Sequence, residues 1–217
     1  MCVYDELSSG DDGQSTKVMS EFRRWRELEH AVQDVLEIPE IAQTIEKEHI
    51  HETPVRFVKA YQEFFGGCWE DPKLVLEKKF EEKKYDEMIY VNEIKFVSFC
   101  AHHLVPFMGR VHFAYIPNKY VVGLSKIPRL VEIYARRPQV QEKLTQEIVD
   151  TFQEVLQPKG CGCVVEATHM CMAIRGVKKD DAYMRTTALR GAFLEKDIVR
   201  QEFLDGIRHG KNGAIWP

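Results

Sequence analysis

The sequence predicts an α+β fold that combines an antiparallel sheet with separate groups of helices. The first third of the chain has apolar residues at helical spacing. Further along, runs of β-branched and aromatic residues occur in two pairs, and helical periodicity lies between the pairs. With 217 residues, the chain is long enough for one sizeable domain or for a small domain with an appendage. This order of strands and helices along the chain favours an antiparallel sheet over a parallel βαβ sheet.

The N-terminal third predicts helices. Between residues 21 and 48 the apolar positions fit one or two amphipathic helices, with a break near Pro39. The next helix is expected to start at Thr53 and Pro54, because Thr is a good N-cap and Pro suits the first helical position. The glycines at 66–67 are expected to end it.

The rest of the chain predicts the sheet and its inserted helices. Strands are expected at residues 89–99, 107–116, 163–174 and 186–193, with a short apolar run at 120–124 after a turn. Helices are expected at residues 127–135, 140–156 and about 197–207. The charged segment 77–87 is compatible with a helix or a loop. We therefore expect a flexible tail at 1–19, a helical region at 20–75 and the main domain at 76–217.

Composition excludes several classes of protein. The net charge of −4 gives no basic excess, so nucleic-acid binding is not expected. No apolar run approaches 18 residues, and the polar N-terminus has no pattern of a secretory signal, so we expect a cytoplasmic protein without a membrane span. In that compartment the six cysteines are expected to be thiols or metal ligands.

Two short motifs combine thiols and imidazoles. Cys100 precedes His102 and His103, and His169 and Cys171 follow about 70 residues later. Two thiolates and one imidazole bind zinc and leave a fourth position for water. If the second motif lies on a strand, its two residues face the same way and serve one site. Additional histidines beside such a site are suited to proton transfer.

Spacing alone leaves other interpretations open. Free thiols are common in buried strands, and a hydrogen-bonded histidine in the core is a frequent alternative to a ligand. Cys161 and Cys163 could also bind a metal together with Cys100 and His103, or they could simply belong to a loop and the start of a strand.

Cations and one polar pair suggest a site for an anionic, hydrogen-bonding ligand. Basic residues beside Ser125, near the second metal motif and after Thr53 could hold phosphates, particularly at a helix N-terminus: Lys126, Arg129, Arg175, Arg56 and Lys59. Gln141 and Glu142 could recognise the N–H edge of a guanine. Each of these residues is also typical of an ordinary solvated surface.

Several long segments together closely resemble the zinc-dependent GTP cyclohydrolase I family. They are TPVRFVKAY, SFCAHHLVPFMGRVHFAYIPN, VVGLSKIPRLVEIYARRPQVQEKLTQEI, VVEATHMCMAIRGV, TTALRGAF and EFLDGI, which span residues 53–207 in the family's order. The resemblance implies the tunnelling fold, an antiparallel four-stranded sheet with two inserted helices. It also implies a homodecamer with active sites at subunit interfaces, and a place in pterin and tetrahydrofolate biosynthesis.

The resemblance also implies a role for each candidate residue. The zinc ligands would be Cys100, His103 and Cys171, and His102 and His169 would be the acid and base. The triphosphate of GTP would lie on Ser125, Lys126, Arg129 and Arg175, with Arg56 and Lys59 contributing from a neighbouring subunit, while Gln141 and Glu142 would recognise guanine. Cys161 and Cys163 would be structural.

The implied reaction opens the imidazole ring of GTP, releases formate and closes a new ring after rearrangement of the ribose, with Ser125 and His169 assisting. The product is 7,8-dihydroneopterin triphosphate. The chain departs from the family pattern at Ala101, where Glu is common, and at residues 181–185, His49 and His51. A related purine nucleotide as substrate, nucleotide binding without turnover, and a purely structural zinc site are the alternatives.

Overall fold

The computed structural model describes the backbone of residues 12–82 and 84–208. The described chain divides into two compact units, the first ending at Glu63 and the second beginning at Phe64. Residues 1–11 of the expected flexible tail lie outside the described residues, and residues 12–19 are helical.

The first unit consists of helices. They are α1 (Asp12–Leu36), α2 (Pro39–Ala42) and α3 (Lys47–Phe64), the last of which ends at the first residue of the second unit. The predicted break near Pro39 is confirmed. The predicted helix start at Thr53 is wrong, because α3 begins six residues earlier and contains Pro54. The residues before Pro54 include no glycine, so the helix forms upstream and loses one backbone hydrogen bond at the proline.

The second unit contains the sheet and its helices. After a 3₁₀ turn (Gly66–Trp69), its elements are α4 (Pro72–Leu76), β1 (Lys79–Glu81), β2 (Ile89–Cys100), β3 (Pro106–Ile116), β4 (Tyr120–Val122), α5 (Lys126–Ala135), β5 (Pro138–Gln139), α6 (Gln141–Leu156), β6 (Gly160–His169), α7 (Met170–Ala173), β7 (Met184–Gly191), α8 (Ala192–Glu195) and α9 (Asp197–Arg208). None of the helices in the described ranges is both long and apolar enough to cross a membrane.

The main sheet has the order β5-β2-β3-β6-β7. Strands β2, β3, β6 and β7 pair antiparallel in sequence, and α5 and α6 are inserted between β3 and β6. The predicted α+β tunnelling fold is therefore confirmed. Two residues of β5 add a short parallel edge to β2, and β1 pairs with β4 in a separate small sheet.

A large apolar core supports one face of the sheet. Phe113 of β3 contacts Phe152 of α6 edge-on, with ring centroids 4.7 Å apart, and both residues are fully buried. Phe107, Val165 and Leu144 belong to the same core. This packing fixes α6 on the sheet and so sets the position of its first residues relative to the end of β6.

Two predicted strands begin and end earlier than expected. The strand predicted at residues 163–174 ends at His169, and α7 follows directly. The strand predicted at 186–193 ends at Gly191, whose φ of 55° lies in the left-handed region. In both cases an apolar run continues from a strand into a short helix, and strand periodicity cannot mark that change.

Candidate active site

A tight turn after β2 brings two histidines close to a thiol. The amide of Cys100 donates to the carbonyl of Val105 at 3.0 Å, and the amide of Leu104 donates to the carbonyl of Cys100 at 2.8 Å. Leu104 has a φ of 50°, which lets the chain reverse. As a result, the sulfur of Cys100 lies 3.8 Å from Nδ1 of His102 and 3.8 Å from Nδ1 of His103.

The second thiol comes from the one-turn helix at the end of β6. The ligand atoms of Cys100, His103 and Cys171 all lie within 4.8 Å of one another. Among the described residues, these three side chains are placed so that they could hold a metal ion together. The two residues do not lie on one strand, as the alternation of side chains would require, because His169 ends β6 and Cys171 is on α7.

The group fits a tetrahedral ion. Zinc bonds of about 2.3 Å to sulfur and about 2.0 Å to nitrogen place two ligand atoms roughly 3.6 Å apart. The separation of 3.8 Å between Cys100 Sγ and His103 Nδ1 is close to that value. Cys100 is buried, Cys171 is half-buried and His103 is exposed, so the group opens towards the surface on one side. Three protein ligands and an open side leave room for a water or a substrate atom.

The electrostatics of the two thiols also fit a cation. Burial first, and then the neighbouring Cys100 sulfur, raise the pKa of Cys171, while Arg175 lowers it. Two thiolates at this distance repel each other, and a divalent cation between them removes that repulsion.

His169 is held by two contacts at the end of β6. Its ring stacks on Phe107 with centroids 4.6 Å apart and planes 2° apart. Its Nε2 lies 2.8 Å from Oε1 of Gln141. Burial lowers the pKa of His169, and the negative charge of Glu142 partly opposes that shift. The imidazole is therefore favoured in its neutral form, as a proton acceptor requires.

The N-terminus of α5 carries part of the predicted triphosphate site. Ser125 is the N-cap residue, is exposed, and makes no side-chain capping bond. Lys126 is half-buried and Arg129 is exposed one turn further along the helix. Arg175 follows α7 and is also exposed. A helix N-terminus with adjacent cations is suited to bind phosphate oxygens.

The remaining predicted substrate residues are placed differently. Arg56 and Lys59 are exposed on α3 in the first unit, where Arg56 pairs with Glu52. Glu142 is exposed at the start of α6, whereas Gln141 is buried. The carboxamide of Gln141 already forms hydrogen bonds with groups of the sheet and with His169. A contact between it and guanine therefore stays a prediction.

Sequence reasoning missed the residues that surround His169. Phe107 faces His169 across the β3–β6 pair, and Thr186 of β7 contacts the amide of Gln141. No motif indicates them, because they become neighbours only through strand register. Cys161 and Cys163, in contrast, are fully buried in the apolar core and are not part of the metal-binding group.

Fold and site together define a protein in which two thiols and one imidazole could hold a metal ion, beside a histidine at the end of an antiparallel sheet. The family model for GTP cyclohydrolase I matches residues 28–208. The chain therefore belongs to the GTP cyclohydrolase I family, and the predicted enzyme class is confirmed.

Individual relatives agree with this assignment. GTP cyclohydrolase 1 of Campylobacter lari is 47% identical over 184 residues, which cover 85% of this chain and 96% of that protein. GTP cyclohydrolase 1 of Wolinella succinogenes is 48% identical over 163 residues, covering 75% and 87% respectively. The crystal structure of the apo archaeosine synthase QueF-Like covers 50% of this chain and 97% of its own, with 16% identity and a TM-score of 0.42. The family assignment rests on the sequence relatives.

Proposed function

We propose that the chain converts GTP into 7,8-dihydroneopterin triphosphate and formate, with zinc as its metal. The observation that carries the proposal is the cluster of Cys100, His103 and Cys171, whose ligand atoms lie within 4.8 Å of one another. When bound, zinc lowers the pKa of a coordinated water to about 7 and so supplies a nucleophile at neutral pH. His103 and the two thiolates would hold it, which leaves His102 and His169 for proton transfer.

The two histidines are suited to different steps. His102 lies in the exposed turn beside Cys100, where an incoming purine can reach it. We therefore assign to His102 the protonation of N7. Protonation at N7 makes C8 electrophilic, so that water can add to C8 and the imidazole ring can open. His169 is partly buried and favoured as a neutral base, so we assign to it, together with Ser125, proton transfers during rearrangement of the ribose.

Binding of the triphosphate is assigned to the N-terminus of α5 and to nearby cations. Ser125 and Lys126 begin the helix, and Arg129 and Arg175 supply further positive charge. Arg56 and Lys59 are exposed and are proposed to act from a neighbouring subunit. Glu142 is exposed, and its negative charge acts on His169; we propose that it accepts hydrogen bonds from guanine. The contact between Gln141 and guanine that the resemblance implies stays a prediction, because the side chain of Gln141 is buried and already hydrogen-bonded within the protein.

We further propose a cytoplasmic homodecamer that serves pterin and tetrahydrofolate biosynthesis. Membership of the GTP cyclohydrolase I family supports this proposal. The edge strand β7 pairs only with β6 among the described residues, so its outer edge is available for another subunit.

The test is release of formate from GTP, measured with and without a chelator and followed by fluorescence of the oxidised pterin. We expect both products from the metal-loaded protein, and neither after the metal is removed. A ring-opened product without pterin would favour the altered family member that Ala101 suggests. Binding of GTP without formate release would contradict the proposed function.

A further inference from the structure

The carboxamide of Gln141 is the most completely bonded polar side chain near His169. The side chain is 1% exposed, at the first residue of α6. Its Nε2 lies 3.1 Å from the carbonyl of Val165, 3.1 Å from the carbonyl of Met184 and 3.1 Å from Oγ1 of Thr186. Its Oε1 lies 2.8 Å from Nε2 of His169.

The acceptors around Gln141 fix which way its amide points. Two of its three neighbours on one side are backbone carbonyls, which accept hydrogen bonds and never donate them. An amide turned the other way would set its own oxygen against both carbonyls in a buried site, at a cost in free energy. The NH₂ group therefore faces Val165 and Met184, and the oxygen faces His169.

A hydroxyl chain agrees with this orientation. Thr145 Oγ1 donates to the backbone carbonyl of Gln141 at 2.7 Å, which uses its one proton. In the contact of 2.6 Å between the two hydroxyls, Thr186 must then be the donor and Thr145 the acceptor. With its proton committed, Thr186 accepts from the amide of Gln141.

The orientation of the amide decides the protonation of the histidine. Because Oε1 of Gln141 only accepts, Nε2 of His169 must carry a hydrogen, and a neutral ring then has its lone pair on Nδ1. The parallel stack on Phe107, with planes 2° apart, fixes the plane of the ring. One hydrogen bond and one stacking contact thus determine both the tautomer and the orientation of the ring.

We infer that Gln141 is a positioning residue that holds His169 in the Nε2–H tautomer, so that Nδ1 is the nitrogen that exchanges protons with substrate. The inference rests on the proposed function for the role of His169. In the ribose rearrangement, Nδ1 takes up a proton from the substrate and later returns it, so the ring ends as it began. The Nε2 proton stays in place because the amide oxygen of Gln141 is a very weak base.

The tautomer is tested directly on the zinc-loaded, full-length protein. Solid-state ¹⁵N NMR of histidine-labelled protein at pH 8.5 distinguishes a protonated from an unprotonated ring nitrogen, and the His169 signals are assigned by their loss in His169→Gln. We expect protonated Nε2 and unprotonated Nδ1. A proton on Nδ1 in the wild-type protein overturns the inference, whatever any variant does.

A variant separates positioning from recognition of guanine. Gln141→Met keeps the approximate volume and removes both the donor and the acceptor. We expect it to populate the other tautomer and to lower kcat about 10- to 100-fold, with the KM for GTP changed by less than about threefold. A raised KM with an unchanged kcat and an unchanged tautomer would assign Gln141 to guanine instead and overturn the inference.

Thr151→Val is the matched control. Thr151 lies on the same helix and loses a buried hydrogen bond of 2.6 Å to the hydroxyl of Tyr134, away from His169. We expect its kcat to stay within about threefold of the wild type and its His169 signals to be unchanged. An equal loss of kcat in both variants would mean that Gln141 acts only through packing of the helix, and would overturn the inference. Absence of formate release in the wild type would count against the proposed function, and the tautomer measurement would still decide the Gln141–His169 contact.

Discussion

Two pairs of cysteines contact the same apolar core and differ in the polar groups around them. Cys161 and Cys163 lie on β6 with their side chains packed into the apolar core, and Cys161 contacts the carbonyl of Val149 at 3.8 Å. Cys100 and Cys171 lie where strands end, beside histidines and near Arg175. Position along the strand, and not residue type, separates a structural thiol from a candidate ligand.

The pKa values of the buried pair show the physical reason. Burial raises the pKa of Cys161 to about 12 and raises the pKa of Cys163 further. A thiol in that environment stays protonated, and metals bind the thiolate. At the strand ends, imidazoles and solvent are close enough for a thiolate and its cation to form together.

Removal of a thiol at the strand end is expected to have the largest effect. In Cys171→Ala we expect loss of bound zinc and a fall in formate release of about 10³-fold or more, because two ligands hold the ion poorly and its water is lost as nucleophile. Metal analysis and the formate assay measure the two effects. Cys163→Ala is the control and should keep its zinc; zinc loss there and retention in Cys171→Ala would reverse the comparison.

The two histidines of the turn sharpen the comparison, since both have Nδ1 atoms 3.8 Å from Cys100. We expect His103→Ala to lose zinc, and His102→Ala to keep it while turnover falls by about 10²- to 10³-fold. Zinc content and kcat are compared with those of His30→Ala, an exposed histidine on α1. Zinc loss in His102→Ala with retention in His103→Ala would exchange the two roles.

Alkylation measures the reactivity of the thiols directly. At pH 8 a thiol with a pKa of about 12 is about 10⁻⁴ thiolate, so Cys161 is expected to react with iodoacetamide at least about 100-fold more slowly than the half-buried Cys171 in chelator-treated protein. Peptide mass spectrometry identifies the labelled sites, and the exposed Cys68 is the positive control. Labelling of Cys161 as fast as that of Cys68 would mean that the core opens readily.

The smallest expected effect is on stability. Cys163→Ser places a hydroxyl in the fully buried apolar core and should lower the free energy of unfolding by about 1–3 kcal/mol. Cys68→Ser changes an exposed position and should stay within about 0.5 kcal/mol of the wild type. Denaturant unfolding of both variants tests the difference, and equal stabilities would contradict the assignment of Cys163 to the core.

Most of the fold followed from periodicity. The helices at α5 and α6 and the strands β2 and β3 match their predicted ranges closely, because a buried face repeats every two or about 3.6 residues. The predictions failed where apolar residues pass from a strand into a one-turn helix, as at Met170, and where a helix continues through Pro54. Periodicity marks neither the residue at which a strand gives way to a helix nor the residue at which a helix begins.

Sequence and tertiary structure each account for a different part of the candidate metal site at the strand ends. The sequence by itself determined the family, the enzyme class and the types of the candidate ligands, since these depend on chemical groups and their order. Only the tertiary structure decided that Cys171 reaches the group from a helix, that Cys161 and Cys163 lie in the core, and that Gln141 faces His169. The reason is physical: pairing register and helix docking bring together residues far apart in the chain, and burial then sets which thiols and imidazoles can react.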